Sequence, residues 1–435
     1  MNSPREALVN IHGIAAGGAG VGRLPDGRAV FVHRTAPGDE ARIRVVQEKR
    51  RWARGTLVSV ERPGPDRRPP PCPHYGRCGG CTLEHMTYAA QLRAKREVVA
   101  AALRRIGGVE AYVPEVVASP AEVRYRNRVS FSLLRSAGRV QAGFHALEQP
   151  GTVVDVDGGC LLPEEAVART WDALRHEWGP GARLLPPGKR LRLTLRATVD
   201  GVCTLLVEGG EAAVVEAEGE AAGPRAEQLV AAVPALAAVW WRSTAGEPPV
   251  LLAGAELVMD RWRDQPVRLQ GALFLQVNRG AAALLEDHVL VLARDAGPET
   301  AVDAYCGVGR YARALAAMGV PTVGIEADPH AVTEARRGAP AGTRFVAGRV
   351  EDALPELLPS ALLVTNPPRA GMAADVVAAL LAAPTRRVIY VSCDPATLAR
   401  DLGRLEAVYR LRGVRAFDLF PQTAHVETVV ELEQR

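Results

Sequence analysis

The second half of the chain alternates strand-like and helix-like segments, and this alternation restricts the fold more than any other feature. Apolar, strand-forming segments begin at residues 301, 323, 361 and 388, and each ends in a polar or glycine-containing turn. Strands that alternate with helices form a parallel sheet with helices on its faces. The sequence therefore predicts an α/β fold with a doubly wound, Rossmann-like sheet in residues 263–435.

Four polar residues stand where these strands end, and the predicted topology brings them together. They are Asp303, Glu326, Asn366 and Cys393. In an open parallel sheet, ligands bind outside the carboxyl ends of the strands. An isolated cysteine is more often an ordinary buried residue, but this convergence favours a catalytic role for Cys393.

The loop after the first of these strands predicts a nucleotide-containing cofactor. Gly307 and Gly309 leave the backbone bare for close approach of a ligand, and Glu326 suits ribose hydroxyls. Asp303 suits the methionine end of S-adenosyl-L-methionine. The segment from Gly307 to Ala312 also satisfies a dinucleotide fingerprint, so these residues do not distinguish S-adenosylmethionine from NAD as the cofactor.

Cys393 is predicted to stand directly before a helix N-terminus. Ile389 and Val391 are strand formers, Asp394 is a favourable N-cap, and Pro395 fits the first helical position. The positive end of the helix dipole favours the thiolate, which is the nucleophilic form. The charge of Asp394 opposes this effect, so the sequence leaves the direction of the thiol pKa shift open.

Glu427 lies among apolar residues in the last predicted strand, in the segment His425-Val-Glu-Thr-Val-Val430. Burial would raise the pKa of its carboxyl group toward that of a useful general base. On the solvent side of the strand, Glu427 would be an ordinary surface residue.

Three cysteines cluster with the spacing Cys72-x5-Cys78-x2-Cys81, and Cys160 is available as a distant fourth ligand. Four cysteinates can bind an iron–sulfur cluster or zinc. Structural zinc more often shows two close pairs, so the spacing favours an iron–sulfur cluster, of the 4Fe–4S type, over zinc or no metal. His74 is predicted to be a local polar residue instead of a ligand.

The N-terminal residues 1–62 predict a small antiparallel barrel, because short apolar runs alternate there with glycine-rich turns. The whole chain has a net charge of +4, but residues 41–70 alone carry nine Lys or Arg against three Asp or Glu. Trp52 lies among these basic residues. Arginines beside an aromatic ring suit phosphate contact and base stacking, so we expect a polyanionic partner.

A proline-rich linker at 63–71 precedes a central α+β domain predicted over residues 72–262. A helix with a basic face is predicted at 86–106, including Arg93 and Lys95, and strands near 123–132, 191–196 and 202–207. No apolar stretch is long enough to span a bilayer, and no signal peptide is apparent. We expect a cytoplasmic monomer with no membrane partner.

With these residues in view, the chain resembles the RNA (uracil-5-)-methyltransferase family, in particular its RumA-like iron–sulfur members with an N-terminal TRAM domain. TRAM domains are RNA-binding barrels of the OB type. The matching segments span nearly the full length: residues 11–22, the four cysteines, Phe274-Leu-Gln-Val-Asn278, Asp303–Gly309, Glu326, Asn366-Pro-Pro-Arg369, Ser392–Asp401 and His425-Val-Glu427.

The resemblance implies an S-adenosylmethionine-dependent enzyme that forms 5-methyluridine in RNA. It implies Cys393 as the nucleophile and Glu427 as the base. It places Gln276, Tyr305, Arg310 and Glu326 at cofactor-contacting positions. The iron–sulfur motif favours ribosomal RNA, of the 23S type, over transfer RNA as the target.

The chain departs from the family at three positions. Many members have Asp in place of Asn366, Arg349 replaces an acidic or amide residue near the adenine, and Arg310 stands where related chains often have Asn. Asn-Pro-Pro also occurs in enzymes that methylate exocyclic base amines, although Arg369 occupies their aromatic position. Amine methylation, a non-catalytic RNA-binding iron–sulfur protein and an NAD oxidoreductase are the alternatives.

Overall fold

The computed structural model describes residues 5–136, 138–210, 219–263, 265–270, 273 and 275–435. Phe274 of the motif quoted above therefore lies outside the described residues. The chain forms two compact units: the first comprises Met1–Pro69, His85–Pro120 and Gly280–Arg435, and the second comprises Pro70–Glu84 and Ala121–Arg279. The domain boundaries at 62, 72 and 262 stay a prediction.

The first unit begins with a closed five-stranded barrel, as predicted. Its strands are β1 (Glu6–Ile14), β2 (Gly20–Arg23), β3 (Ala29–Val32), β4 (Glu40–Glu48) and β5 (Trp52–Arg62), paired in the order β1-β2-β3-β5-β4. Alternate side chains of β1 point into the barrel core, as a period of two requires. The expectation of a wholly antiparallel barrel was wrong for one pair, because β3 and β5 run parallel.

Helix α1 (Tyr88–Ile106) forms within the predicted range. Lys95, which the sequence placed on a basic face, is 1% exposed. Its Nζ lies 2.5 Å from Oδ1 of Asp418. A buried ammonium group needs such a partner, and this partner is remote in sequence. Lys95 therefore belongs to the interior, whereas Arg93 pairs with Asp66 at the surface.

The second unit is built on a seven-stranded sheet of order β12-β11-β10-β9-β6-β7-β8, with a separate hairpin β13-β14. The strands are β6 (Arg128–Ser136), β7 (Arg139–His145), β8 (Val153–Asp155), β9 (Arg190–Ala197), β10 (Cys203–Gly209), β11 (Leu236–Arg242), β12 (Val250–Gly254), β13 (Val258–Trp262) and β14 (Gln265–Leu269). The helices are α2 (Glu165–Glu177), α3 (Gly219–Ala232) and a 3₁₀ turn at Pro180–Ala182.

One face of this sheet packs on α2 and α3. Trp171 and Leu174 of α2 and Leu229 of α3 share a buried cluster with Leu193 and Leu205 of the strands. Cys203 is buried in the same cluster, as predicted. The strand expected at 123–132 begins only at residue 128, because the backbone at 124–126 hydrogen-bonds to residues 161 and 162 instead of to a neighbouring strand.

The C-terminal part of the first unit is the predicted doubly wound sheet. Its strands are β15 (Ala301–Ala304), β16 (Thr322–Glu326), β17 (Thr343–Ala347), β18 (Leu362–Thr365), β19 (Arg387–Ser392), β20 (Tyr409–Phe417) and β21 (Glu427–Gln434). The order is β17-β16-β15-β18-β19-β21-β20. The strands from β15 to β19 are parallel, and β21 runs antiparallel between β19 and β20.

Helices link these strands and cover the sheet. They are α4 (Arg279–Ala296), α5 (Arg310–Ala317), α6 (Pro329–Arg336), α7 (Val350–Ala353), a 3₁₀ turn at Leu354–Leu357, α8 (Ala374–Ala382) and α9 (Pro395–Leu405). Buried side chains of the strands, α8, α9 and α1 form one apolar cluster. None of the helices in the described part of the chain is long and apolar enough to cross a membrane.

Candidate active site

The four polar residues at the strand ends share one edge of the doubly wound sheet, as predicted. Strands β16, β15, β18 and β19 are consecutive neighbours, and the register pairs the last residues of β15 and β18 with each other. Asp303, Glu326, Asn366 and Cys393 therefore all lie at the carboxyl edge, where parallel sheets bind ligands.

The turn from β19 into α9 has the local structure that the sequence predicts. Pro395 opens the helix, and Oδ1 of Asp394 accepts hydrogen bonds from the backbone N–H groups of Ala396 and Thr397, at 2.8 and 3.0 Å. Cys393 stands just before this cap and is half-buried. Burial, together with the charge of Glu427, raises the pKa of the Cys393 thiol, which decides the question that the sequence left open.

Glu427 lies opposite Cys393. The ladder between β19 and β21 pairs Ser392 with Thr428, so Cys393 and Glu427 come next at the same end of the two antiparallel strands, and the charge of Glu427 acts on the thiol. The Glu427 side chain is buried, with 4% of the residue exposed. Burial raises the pKa of its carboxyl group to about 7, as the sequence analysis expected of a useful base.

Arg369 acts on both of these groups, and the sequence analysis did not assign it a role at the site. Its guanidinium lowers the pKa of the Cys393 thiol through its charge and a hydrogen bond, and its charge also lowers the pKa of Glu427. The sequence signal that could have identified Arg369 is a basic residue in the loop that follows β18, the strand beside β19. Arg369 favours the anionic, reactive form of each group.

The exit loop that carries Arg369 is fastened to α9 by Asp401. This residue is fully buried, and its Oδ2 accepts hydrogen bonds from the Met372 N–H at 2.8 Å and the Tyr390 hydroxyl at 2.9 Å. Its Oδ1 pairs with Arg400 at 2.8 Å. The helix that follows Cys393 therefore also positions the loop of Arg369.

Asp303 presents an unsatisfied carboxylate oxygen. The residue is fully buried, and its Oδ2 accepts a hydrogen bond from the Ala312 N–H at 2.9 Å. Its Oδ1 has no hydrogen-bond partner among the described residues. Burial raises the pKa of this carboxyl group to about 7. A buried acceptor without a partner is costly, and a bound ammonium group would satisfy it.

The glycine loop beside Asp303 has a backbone that requires glycine. Gly307 and Gly309 have φ angles of +55° and +75°, and a Cβ at Gly309 would lie 2.4 Å from the ring of Phe345. The Gly307 N–H donates to Oε2 of Glu326 at 2.9 Å. Tyr305 also has a positive φ, +61°, a strained conformation that clusters at ligand sites.

The remaining residues that the resemblance assigned to a cofactor are placed as follows. Arg310 opens α5 and forms an ion pair with Glu286 of α4. Asn366 is half-buried and its N–H donates to the Ala304 carbonyl at 3.3 Å. Gln276 belongs to the second unit, where its carbonyl accepts a hydrogen bond from the side chain of Asn127 at 3.1 Å.

Arg349, the departure that the sequence analysis placed near the adenine, precedes α7. Its side chain is 70% exposed and lies 3.6 Å from Oε1 of Glu351. This ion pair engages the guanidinium with a neighbour on its own helix, and an exposed pair of this kind holds a side chain only weakly.

The four cysteines of the second unit line one cavity. Cys72, Cys78, Cys81 and Cys160 surround it together with Phe144 and other apolar side chains. Burial raises the pKa of Cys78 to about 11 and that of Cys160 to about 12, and it also raises the pKa of Cys81. These thiols are neutral in the apolar cavity, and metal binding would convert them to thiolates.

Two further contacts bear on this cavity. The Gly80 N–H donates to Sγ of Cys78 at 3.3 Å, and Nε2 of His74 lies 3.0 Å from Oδ1 of Asp157, in agreement with a local polar role for His74. Within the described residues, no group of three or more His, Cys, Asp or Glu is arranged to hold a metal ion. The iron–sulfur cluster therefore stays a prediction.

Known proteins resemble the chain over nearly its whole length. Residues 349–435 match the tRNA (uracil-5-)-methyltransferase family, and residues 5–58 match the TRAM domain. An uncharacterized RNA methyltransferase from Gloeobacter violaceus is 35% identical, over 98% of this chain and 96% of its own. Another, from Halalkalibacterium halodurans, is 32% identical over 98% and 96%.

A solved structure has the same fold. The tRNA (uracil-54, C5)-methyltransferase of Pyrococcus abyssi, in complex with S-adenosyl-L-homocysteine, superposes with a TM-score of 0.73 at 25% identity. The match covers 98% of this chain and 99% of the Pyrococcus chain.

Proposed function

We propose that the chain, which belongs to the RNA (uracil-5-)-methyltransferase family, methylates C5 of a uridine in RNA to form 5-methyluridine. The observation that carries the proposal is the pair formed by Cys393 and Glu427. A thiol and a buried carboxyl group flank the last paired position of β19 and β21 at the ligand-binding edge of the sheet, the charge of the carboxyl group acts on the thiol, and Arg369 favours the anionic form of both.

The main chemical difficulty of the reaction is that C5 of uracil is a poor nucleophile, and the Cys393 thiol can overcome it. The Cys393 thiolate adds to C6, and the electrons of the C5–C6 double bond move toward C5 and the carbonyl oxygen at C4. The resulting enolate is nucleophilic at C5. A base that reacts in this way must be turned out of its stack to reach Cys393.

When bound, S-adenosylmethionine would supply the methyl group to C5 from its sulfonium, with cleavage of the S–CH3 bond and release of S-adenosylhomocysteine. Once C5 carries the methyl group, the carboxylate of Glu427 takes the remaining C5 proton. The electrons of that C–H bond restore the C5–C6 double bond, and the bond between C6 and sulfur breaks. Cys393 leaves as a thiolate and is ready for another turnover.

The residues around the glycine loop fit S-adenosylmethionine. The unsatisfied Oδ1 of Asp303 suits the ammonium of the methionine end, and Glu326, which receives the Gly307 N–H, suits ribose hydroxyls. The bare backbone at Gly307 and Gly309 allows close approach. We include Tyr305, Arg310, Asn366 and Gln276 in the proposed cofactor set by family resemblance.

Asp303→Asn is expected to weaken binding of S-adenosylhomocysteine by about 100-fold, because the buried charge that pairs with the ammonium is lost. In the wild type, the affinity should fall as the pH drops below about 7, since the pKa of Asp303 is about 7 and the protonated carboxyl no longer attracts the ammonium. Isothermal titration of both proteins from pH 6 to 8 measures this. A wild-type affinity that is flat across this range would contradict the assignment.

We also propose that Cys72, Cys78, Cys81 and Cys160 bind a 4Fe–4S cluster. The four thiols line a single cavity in the second unit. A four-iron cube is wider than a single ion, so its ligands surround a cavity instead of meeting at one point, and four cysteinates are its usual ligand set. Bound there, the cluster would join residues 72–81 to residue 160, so we assign it a structural role.

Cys160→Ser is expected to lose most of the bound iron and the broad visible absorbance of the anaerobically purified protein. Its thermal unfolding temperature should also fall, because cluster binding contributes to folding. Cys203→Ala is the matched control, since Cys203 is a buried cysteine of the same unit that lies outside the cavity. Stoichiometric zinc in place of iron, or iron retained by Cys160→Ser, would contradict the cluster.

For the target we propose ribosomal RNA, of the 23S type, because the four-cysteine motif resembles the iron–sulfur members of the family. Transfer RNA is the second candidate, since the structurally similar Pyrococcus enzyme is named for it. We also propose that the protein acts as a monomer.

The test is tritium release from RNA labelled at C5 of uracil, with S-adenosylmethionine added. Unmodified 23S ribosomal RNA and transfer RNA transcripts serve as separate substrates. Tritium release with matching methyl incorporation supports C5 methylation, and the active transcript identifies the RNA class. Methyl incorporation without release would instead favour amine methylation near Asn366. Neither signal, with RNA binding intact, would favour a non-catalytic RNA-binding protein.

A further inference from the structure

The connection between β20 and β21 lies directly before the proposed base. Glu427 is the first residue of β21, and it pairs across the ladder with Phe417, the last residue of β20. Residues 418–426 therefore form the whole connection between the two strands. Contacts that fix this connection also fix the start of β21, where the carboxyl group of Glu427 lies.

Lys95 of α1 binds the beginning of the connection. Its Nζ donates to Oδ1 of Asp418 at 2.5 Å and to the Phe420 carbonyl at 3.1 Å. The same Oδ1 accepts a hydrogen bond from the Phe420 N–H at 3.0 Å. The side chains of Lys95 and Asp418 are 1% and 0% exposed. Lys95 therefore closes a buried turn at residues 418–420.

Gln91 binds the next part of the connection. It lies one helical turn before Lys95, on the same face of α1. Its Oε1 accepts a hydrogen bond from the Gln422 N–H at 2.9 Å, and its Nε2 donates to Oε1 of Gln422, also at 2.9 Å. Both glutamines are buried. Since the amide of Gln91 uses its acceptor and its donor on one residue, it fixes the backbone and the side chain of Gln422 together.

The backbone at Gln422 has a conformation that requires such support. Its φ angle is +69°, in the left-handed region that costs free energy for a residue with a Cβ. Conformations of this kind persist where the surrounding structure holds them, and they cluster at functional sites. The hydroxyl of Thr423, the next residue, donates to the Phe420 carbonyl at 2.8 Å, and Val426 is buried in the apolar cluster of the sheet. The chain therefore reaches Glu427 with little freedom.

The contacts from α1 are better suited to fixing a geometry than to adding stability. A buried ion pair adds little net stability, because removing two charges from water offsets their attraction, but it holds its partners in one arrangement. Lys95 and Gln91 bind successive parts of one connection, and all of these residues belong to the first unit. Two side chains of a single helix thus hold the segment that leads into β21.

We propose that Gln91 and Lys95 are positioning residues that hold residues 418–423 in place and so set the Glu427 carboxyl group for removal of the C5 proton. This inference rests on the proposed function, because it takes Glu427 as the base. A general base must lie within hydrogen-bond reach of the proton that it removes. A displacement of about 1 Å can lower a rate by about 100-fold, so contacts remote from the uracil can control this step.

The test compares Gln91→Leu and the double variant Lys95→Met/Asp418→Asn with Glu97→Gln. Gln91→Leu keeps a similar volume and removes both hydrogen bonds to Gln422. The double variant removes the ion pair without leaving an unpaired charge in the interior. Glu97 is the matched control, because it is an exposed residue of the same helix. Affinity for S-adenosylhomocysteine and the thermal unfolding temperature show whether each variant is folded.

Gln91→Leu and the double variant are each expected to lower kcat by about 10- to 100-fold, without raising KM for the RNA transcript that is active in the tritium assay. Both should accumulate the covalent RNA adduct on a denaturing gel, because addition and methyl transfer precede the step that needs the base. Hydrogen exchange measured by mass spectrometry should be about tenfold faster in residues 418–426 and unchanged in β19. Glu97→Gln should match the wild type in each measurement.

These readouts separate positioning from stability alone. A folded variant that had lost only stability would keep the wild-type kcat and show no adduct. A wild-type kcat in Gln91→Leu and in the double variant would overturn the inference, even with faster exchange. A lower kcat without faster exchange at 418–426, or without the adduct, would also overturn it. If the double variant does not fold, Gln91→Leu decides by the same criteria.

Failure of this inference is distinguishable from failure of the proposed function. A wild type that incorporates methyl groups without tritium release, or does neither, would overturn C5 methylation and the inference together. A wild type that releases tritium, with variants that match it in kcat, would overturn the inference alone and leave C5 methylation in place.

Discussion

Cys393→Ala is expected to abolish methyl transfer, with kcat/KM lower by about 10⁴-fold or more. Without the thiolate, no addition at C6 activates C5 of uracil, so the covalent route is lost. Cys393 is half-buried at the end of β19 and stands opposite Glu427. Methyl incorporation and tritium release should disappear together, because both steps follow the addition to C6.

Two controls make this result specific. Affinity for S-adenosylhomocysteine should remain within about twofold of the wild type, since Asp303 and Glu326, which are proposed to bind the cofactor, lie at the ends of other strands. Cys203→Ala removes a different buried thiol, far along the sequence and in the second unit, and should retain activity. If Cys393→Ala kept more than about a tenth of the wild-type rate, another nucleophile or amine methylation would be required.

Glu427→Gln is expected to slow turnover by about 10² to 10⁴-fold, the usual contribution of a general base, and to trap the RNA on the protein. Addition through Cys393 and methyl transfer need no base at C5, but elimination does. The methylated uridine should therefore remain bound to sulfur. A denaturing gel with labelled RNA detects the adduct, and the double variant Cys393→Ala/Glu427→Gln should show none.

The pH dependence of kcat provides a second measurement on the same residue. The pKa of Glu427 is about 7 because of burial, and only the carboxylate can accept a proton. At saturating S-adenosylmethionine, which removes the contribution of Asp303, the wild-type kcat should rise as the pH increases through 7. Glu427→Gln should lose the component of this rise near pH 7 and keep only the rise toward alkaline pH that comes from the Cys393 thiol, whose pKa is raised by burial. A variant with the wild-type profile and no adduct would assign the base to another residue.

The amino-acid sequence by itself determined the elements and the edge at which the site lies. Strand and helix periodicity predicted the doubly wound sheet, and chain direction in a parallel sheet predicted that Asp303, Glu326, Asn366 and Cys393 share its carboxyl edge. The local sequence also predicted the N-cap at Asp394 and the first helical turn at Pro395. These properties depend on local patterns and on general rules of chain topology, so no distant contact was needed to infer them.

Only the tertiary structure decided which groups meet and how they ionise. Glu427 and Cys393 come to the same end of neighbouring strands because β21 inserts antiparallel between β19 and β20, and neither strand's sequence alone determines the register of such a remote pair. The pKa of the Cys393 thiol follows from burial and the charges of Glu427 and Arg369. The sequence likewise predicted Lys95 to be a surface cation, but Asp418 neutralises its ammonium group in the interior. Burial and charge pairing depend on residues that are distant in sequence and adjacent only after folding.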